Sequence, residues 1–193
     1  MKYYLIFLLT IVFLSSCDRH ARRKNEVKKI EIATGGCFGS CQLTAISIDS
    51  SLDYKYFGGD TYFPSPPDAK NNEKLKGYYF AKVSPGFWDT LNIKLEEINY
   101  KKLDTSYEHS VDDESLEIFI HYGNNIKHIK AQSVSLPDSI ARVFYYIINS
   151  YKTIKPKPTR DTFNFESTTH RPIPMPDIRK VKFPPPTKKQ LKN

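Results

Sequence analysis

Residues 77–98 read GYYFAKVSPGFWDTLNIKLEEI, and the spacing of their apolar side chains changes partway along. Up to Val83 the stretch is short and aromatic-rich, the pattern of a strand. Ser84-Pro85 then places an N-cap residue before a proline at the first helical position, where a missing N–H costs nothing. Trp88, Leu91, Leu95 and Ile98 follow at spacings of three, four and three, which is one face of a helix. A strand that hands over to an amphipathic helix predicts a mixed domain, with the helix laying its apolar stripe on a sheet.

The same two periods recur on either side. Toward the N-terminus, VKKIEIAT (27–34) and LTAISID (43–49) alternate and are rich in β-branched residues. Ser50-Ser51 makes a turn into LDYKYF (52–57), so these last two segments form a hairpin. Gly58 to Asn72 is a loop carrying Gly58-Gly59 and PSPPD. Toward the C-terminus, SLEIFIHY (115–122) and IKHIKA (126–131) form a hairpin through Asn124-Asn125. Ser135-Leu136-Pro137-Asp138 opens a second helix. Its Ile140, Val143, Phe144, Ile147, Ile148, Tyr151 and Ile154 keep the i, i+3, i+4, i+7 spacing throughout. No repeat of fixed period occurs. The expected fold is α+β: an antiparallel sheet of about six strands with two helices on one face, formed by residues 27–154. About 120 residues suffice for one core.

Charge divides the chain further. Its net charge is +8, but Ile30 to Tyr151 holds eleven Lys/Arg against sixteen Asp/Glu. The excess lies in the flanks: six basic and two acidic residues over 18–29, eleven and three over 152–193. No basic stripe lies on the predicted elements, which argues against nucleic acid as a partner. Residues 155–193 also carry eight of the thirteen prolines. Proline lacks the amide donor for helix or central strand, so this segment is expected to be a Pro-rich, basic, disordered tail. Its apolar residues, among them Phe163, Phe165, Ile173 and Phe183, equip it to dock on an envelope protein or an anionic surface.

Residues 1–17, MKYYLIFLLTIVFLSSC, read as a leader. Lys2 is followed by a twelve-residue apolar run, Tyr3 to Leu14. As a helix it would cover roughly 18 Å, short of the ~30 Å hydrocarbon core and suited to a signal peptide. Leu14-Ser15-Ser16-Cys17 resembles a bacterial lipobox. That resemblance implies removal of residues 1–16, diacylglycerol on Cys17, a lipidated tether over 17–26 and a membrane-attached domain in the cell envelope, outside the cytoplasm. The two or three acyl chains of such a protein hold it stably, where one chain binds reversibly.

With Cys17 acylated, Cys37 and Cys41 remain, in GGCFGSC (35–41). An even thiol pair in an exported chain tends to close, and Gly39 allows the tight turn that a disulfide needs. A metal reading draws on the same residues. CxxxC with a distant histidine is similar to the copper-handling motif of exported copper chaperones, and soft thiolates with imidazole suit copper. A two-residue loop at Asn124-Asn125 would set His121 opposite His128, near enough to share a metal; a three-residue loop would pair His121 with Lys127 instead. The candidate metal set is therefore Cys37, Cys41, His121 and His128, for copper or zinc, with thiol–disulfide exchange as a related alternative. His109 reads as a loop residue. Asp112-Asp113-Glu114 lacks the spacing of a calcium loop and reads as a solvated turn. No spacing nominates a catalytic triad, and no cofactor is expected. The leading expectation is a non-enzymatic binding or assembly module.

Residues 30–58, IEIATGGCFGSCQLTAISIDSSLDYKYFG, resemble the domain-of-unknown-function family numbered 6438, found in bacterial lipoproteins. The Cys37-Phe38-Gly39-Ser40-Cys41 signature between two strands carries the resemblance. Tyr54 to Gly58, Gly77-Tyr78, the Trp88–Leu91 helix and Asp112 or Asp113 add to it, over roughly Val27 to Ile154. Two positions depart: Gln42 stands where the family has proline, and Ser50-Ser51 where it has Asp-Gly. The resemblance implies the domain's boundaries and the cysteine loop, and implies no reaction.

Overall fold

Alternating apolar strands become half-buried ladders. In a computed structural model, residues 27–35, 37, 41–61, 75–109 and 113–167 are described. Eight strands form one sheet: β1 (Val27–Thr34), β2 (Gln42–Asp49), β3 (Asp53–Thr61), β4 (Gly77–Lys82), β5 (Ser106–Tyr107), β6 (Ser115–Tyr122), β7 (Asn125–Gln132) and β8 (Lys157–Pro158). Their order is β5-β7-β6-β1-β2-β3-β4-β8. Every pairing is antiparallel except β5 with β7. The fold is thus α+β, as the periods predict. The two strands beyond the expected six are two-residue edge strands, too short to leave any period in the sequence.

Two helices cover one face. α1 (Pro85–Glu97) starts where expected, and the Ser84 hydroxyl accepts the Phe87 amide at 3.1 Å. Trp88, Leu91 and Leu95 point inward. α2 (Asp138–Ile148) buries Ile140, Val143, Phe144 and Ile147. The apolar period predicts one helix to Ile154, but the helix breaks at Asn149-Ser150 and resumes as the single turn α3 (Tyr151–Ile154). The cause is local. Buried Ser150 turns its hydroxyl to the Ile147 carbonyl at 2.6 Å and meets the Tyr54 hydroxyl at 3.1 Å. The helices pack on Ile30, Ile32, Ile46, Ile48, Tyr54, Tyr56, Ile118 and Ile120, each at most 1 % exposed. Burying an aliphatic side chain of this size contributes about 1.5–3 kcal/mol, so this face supplies most of the stability.

The register of the β6–β7 hairpin corrects one expectation. The turn residues are Gly123 and Asn124, with Tyr122 opposite Asn125. Gly123 takes φ +52°, which a glycine adopts without the Cβ penalty, so the turn centres there instead of on Asn124-Asn125. The shift moves every partner by two. His128 lies opposite Phe119 and His121 opposite Ile126, so the two histidines are not cross-strand partners.

The second difference concerns the C-terminal boundary, expected at Ile154. Lys155 turns the chain in the left-handed region (φ +52°), and Lys157-Pro158 pairs with Tyr79 and Phe80 as β8. Thr159 then donates its amide to the Tyr78 carbonyl at 2.9 Å. From there to Ser167 the chain runs across the sheet face opposite the helices. Residues 163–167, FNFES, alternate: Phe163, Phe165 and Ser167 face the sheet, Asn164 and Glu166 face outward. Phe163 meets Tyr78 edge-on at 5.8 Å. Phe165, 5 % exposed, packs with Ala33 and Ala45, both fully buried. The strap thus crosses β4, β3, β2, β1 and β6. Alanines on the central strands leave the hollow that its phenylalanine fills. The predicted leader, the tether with Cys17, and residues 168–193 of the predicted tail lie outside the described residues.

Candidate functional site

At one end of the sheet, β1 leads through Gly35 into the cysteine loop and β2 leads out of it. The sulfurs of Cys37 and Cys41 stand at disulfide distance, 2.09 Å, with Cα atoms 5.5 Å apart. The surrounding hydrogen bonds hold the loop's base. Thr34 donates its hydroxyl to the Gln42 carbonyl at 2.9 Å. The Gln42 side-chain amide donates to the carbonyls of Gly59 and Leu75, at 2.8 and 2.9 Å. A Cβ on Gly58 would stand 1.8 Å from the Leu75 carbonyl oxygen, so the backbones here approach as only glycine permits.

The four residues of the predicted metal set do not converge. Thr34, next to the cysteine loop, pairs with Leu116, whereas His121 pairs with Lys29, five residues along β1. At about 3.4 Å per residue that is roughly 17 Å. His128 lies nearer but is engaged elsewhere. Its ring stacks on Phe119 at 4.2 Å, and its Nε2 meets Glu117 Oε1 at 2.9 Å. Among the described residues, no group of three or more His, Cys, Asp or Glu is placed to share a metal.

Titratable residues instead gather under the strap. Glu31 on β1 and Glu117 on β6 are 1 % and 5 % exposed, and share a face with His121 and His128. Ser167 joins them: its amide donates to Glu31 Oε1 at 2.9 Å and its hydroxyl to Glu117 Oε2 at 2.6 Å. Glu166 beside it takes Lys29 and His121, the latter at 2.7 Å. Lys29 also stands 3.8 Å from Glu31. Burial pushes the Glu31 carboxyl above its usual range, against the pull of the Ser167 amide and the Lys29 charge. Glu166 goes the other way. Partial burial raises it, but the hydrogen bond and charge of Lys29, with those of His121, outweigh this and hold it low. His128 reaches Glu117 Oε1, and the Ser167 hydroxyl donates to the other oxygen of the same carboxylate. The cluster is a latch: two buried carboxylates take their donors from the strap, which keeps them hydrogen-bonded.

Sequence reasoning does not find this latch. Glu31 between Ile30 and Ile32, and Glu117 between Leu116 and Ile118, read as the solvent side of ordinary alternating strands. The available signal is the alternation of FNFES. Of the acidic run, Asp112 lies outside the described residues. Asp113 accepts the Ser133 hydroxyl and, at 2.6 Å, the Val134 amide. Burial raises its carboxyl, but these donors and the Glu114 amide together outweigh this and hold it low. Glu114 accepts the Tyr145 hydroxyl at 2.8 Å. Both acids therefore tie the end of β7 and α2 to the start of β6. His109, expected in a loop, lies beyond β5, where its amide donates to the Ser135 hydroxyl at 3.1 Å. Beside β8 an open groove of about 590 Å³ is lined by Phe80, Lys82, Ile154, Lys155, Lys157 and Phe163, among others.

Comparison with known proteins adds a family. The model described as Domain of unknown function (DUF6438) matches residues 28–151, ending before the strap. No curated protein matches the chain.

Proposed function

The chain belongs to the DUF6438 family, and from that premise we propose that it is a lipid-anchored envelope lipoprotein whose α+β domain is a non-enzymatic binding or assembly module. The observation that carries this reading is the closure of both sheet faces from within the chain. The helices occupy one face and the strap the other, and the most buried acidic side chains hold the strap. Contacts with other molecules are left to the sheet's ends, its edges and the chain's flanks. The lipobox-like Leu14-Ser15-Ser16-Cys17 supports the anchor, through diacylglycerol on Cys17. The sulfur distance supports a Cys37–Cys41 bridge, closed in an oxidising compartment. The basic residues of 168–193 are available to an envelope protein or an anionic surface.

Intact mass of the chain purified from bacterial membranes tests the anchor and the bridge. The expected species starts at Cys17, carries acyl mass there and gains two hydrogens on reduction. A chain that keeps Met1, or an unmodified residue 17, overturns the anchor; no gain on reduction overturns the bridge. A photo-crosslinker at exposed Lys157 in the same cells is expected to trap an envelope protein. Recovery of the uncrosslinked chain alone overturns the binding-module reading.

A further inference from the structure

The two ends of the sheet differ in charge, and each exposes an aliphatic side chain, Val134 at the cysteine-loop end and Ile126 at the other. The cysteine-loop end carries Asp113 and Glu114 at the start of β6. The other end is where β1 begins at Val27, next to the β6–β7 hairpin through the Val27–Tyr122 pairing. Four lysines gather at this corner. Lys28 follows Val27, and Lys127 leads out of the hairpin. Lys101 sits over the rings of Tyr100 and Tyr122, 5.7 Å from each centroid, with Lys102 beside it in the same turn. Glu97 and Asp104 border that turn in sequence, and Asp49 lies opposite Lys29, which leaves an excess of one positive charge. Asp49 accepts the Ser51 and Asp53 amides, and Glu166 holds Lys29 and His121. At the same end Ile126, 56 % exposed, stands two residues past the hairpin turn; it pairs with His121 on the strap face, whereas Lys127 pairs with Ile120 on the helix face.

We infer that this corner rests on an anionic phospholipid bilayer, with Ile126 entering the headgroup layer and the four lysines facing lipid phosphates. The inference rests on the lipid-anchor reading for its occupant. Between Cys17 and Val27 lie only residues 18–26, which at ~3.3–3.6 Å each reach at most about 35 Å. The first residue of β1 therefore stays near the surface that holds the anchor. An exposed aliphatic residue flanked by lysines is the composition that interfacial binding uses, with each cation near an anionic leaflet adding to the attraction. The cysteine loop, Asp113 and Glu114 then point away from the membrane.

The test uses the full chain with its anchor, reconstituted into vesicles of phosphatidylglycerol and phosphatidylethanolamine or of phosphatidylcholine alone. Ile126→Trp reports depth through quenching by brominated lipid. Buried Trp88, measured without the substitution, gives the background. The expected result is loss of the introduced indole's emission in anionic vesicles but not in phosphatidylcholine. High salt and the pair Lys101→Glu, Lys127→Glu should each restore it. Equal emission in the two vesicles, with acyl mass present on Cys17, overturns the inference and leaves the anchor standing. If Cys17 carries no lipid, the anchor reading fails. Salt-sensitive sedimentation of the chain with anionic vesicles, lost in the lysine pair, would then still support the corner, and its absence would overturn it. Should the lysine pair fail to fold, the salt series on the unsubstituted lysines decides.

Discussion

Gln42 stands where a proline was expected, and its side chain explains what the departure does. One amide group donates to two carbonyls on different segments, Gly59 and Leu75, across the end of the sheet. Gln42→Ala should cost about 1–3 kcal/mol in urea unfolding, because two carbonyls at a crowded backbone approach lose their donor. The latch carboxylates make a second prediction, with opposite signs. Glu166 is held low, so its contribution is present above 4.5 and is lost as pH falls through its lowered value. Glu31 is raised, so its contribution is complete below 4.5 and is lost as pH rises through its raised value. Amide exchange at 163–167, corrected for intrinsic rates, should therefore accelerate at both limits. Glu166→Gln should remove the acid limb and Glu31→Gln the upper one, with Lys29, Glu117, His121 and His128 left in place. A profile unchanged by either substitution would contradict the latch. These residues were illegible in the sequence for a physical reason. A charged residue between two isoleucines is the signature of a solvated sheet face, and only a distant segment laid over that face turns it into a buried one.

The helices and long strands were legible because their apolar positions repeat often enough to fix a period. Trp88, Leu91 and Leu95 appear on the inner face of α1 as their spacing predicts. What the period could not convey was the interruption at Asn149-Ser150, where a hydroxyl pair with Tyr54 competes with the helix, or the turn at Gly123, where one glycine outweighs two asparagines. In the sequence the strap has the composition of a tail, because prolines and charges dominate it. Its hold depends on shape. Ala45→Leu fills the hollow under Phe165 and should cost about 1–3 kcal/mol by overpacking. Exchange should rise selectively over 159–167 while α1 and α2 stay protected. Phe165→Ala should give the same pattern by losing the packing partner. Uniform loss of protection across the helices in either variant would show that the strap is not a separate element.

For the molecule as a whole, the strap moves the working boundary of the domain past the family match, which ends at residue 151. A chain ended after Ile154 would uncover Ala33, Ala45, Phe57 and Tyr78 and leave Glu31 and Glu117 without Ser167. Such a chain should lose at least about 3–5 kcal/mol, the range for removing one buried phenylalanine. Thermal melting against the chain ended after Ser167 measures this, and equal melting points would return the boundary to Ile154. β1 is bonded on both sides, to β2 and to β6, in the middle of the sheet, and it is the strand that would lead back toward the anchor proposed at Cys17. Tension between the membrane and whatever the far end grips would pull along its axis. Two ladders of hydrogen bonds would then be loaded together in shear, whereas an edge strand would peel one bond at a time. With the proposed anchor in place, the connectivity would set the mechanically strongest element in line with that load.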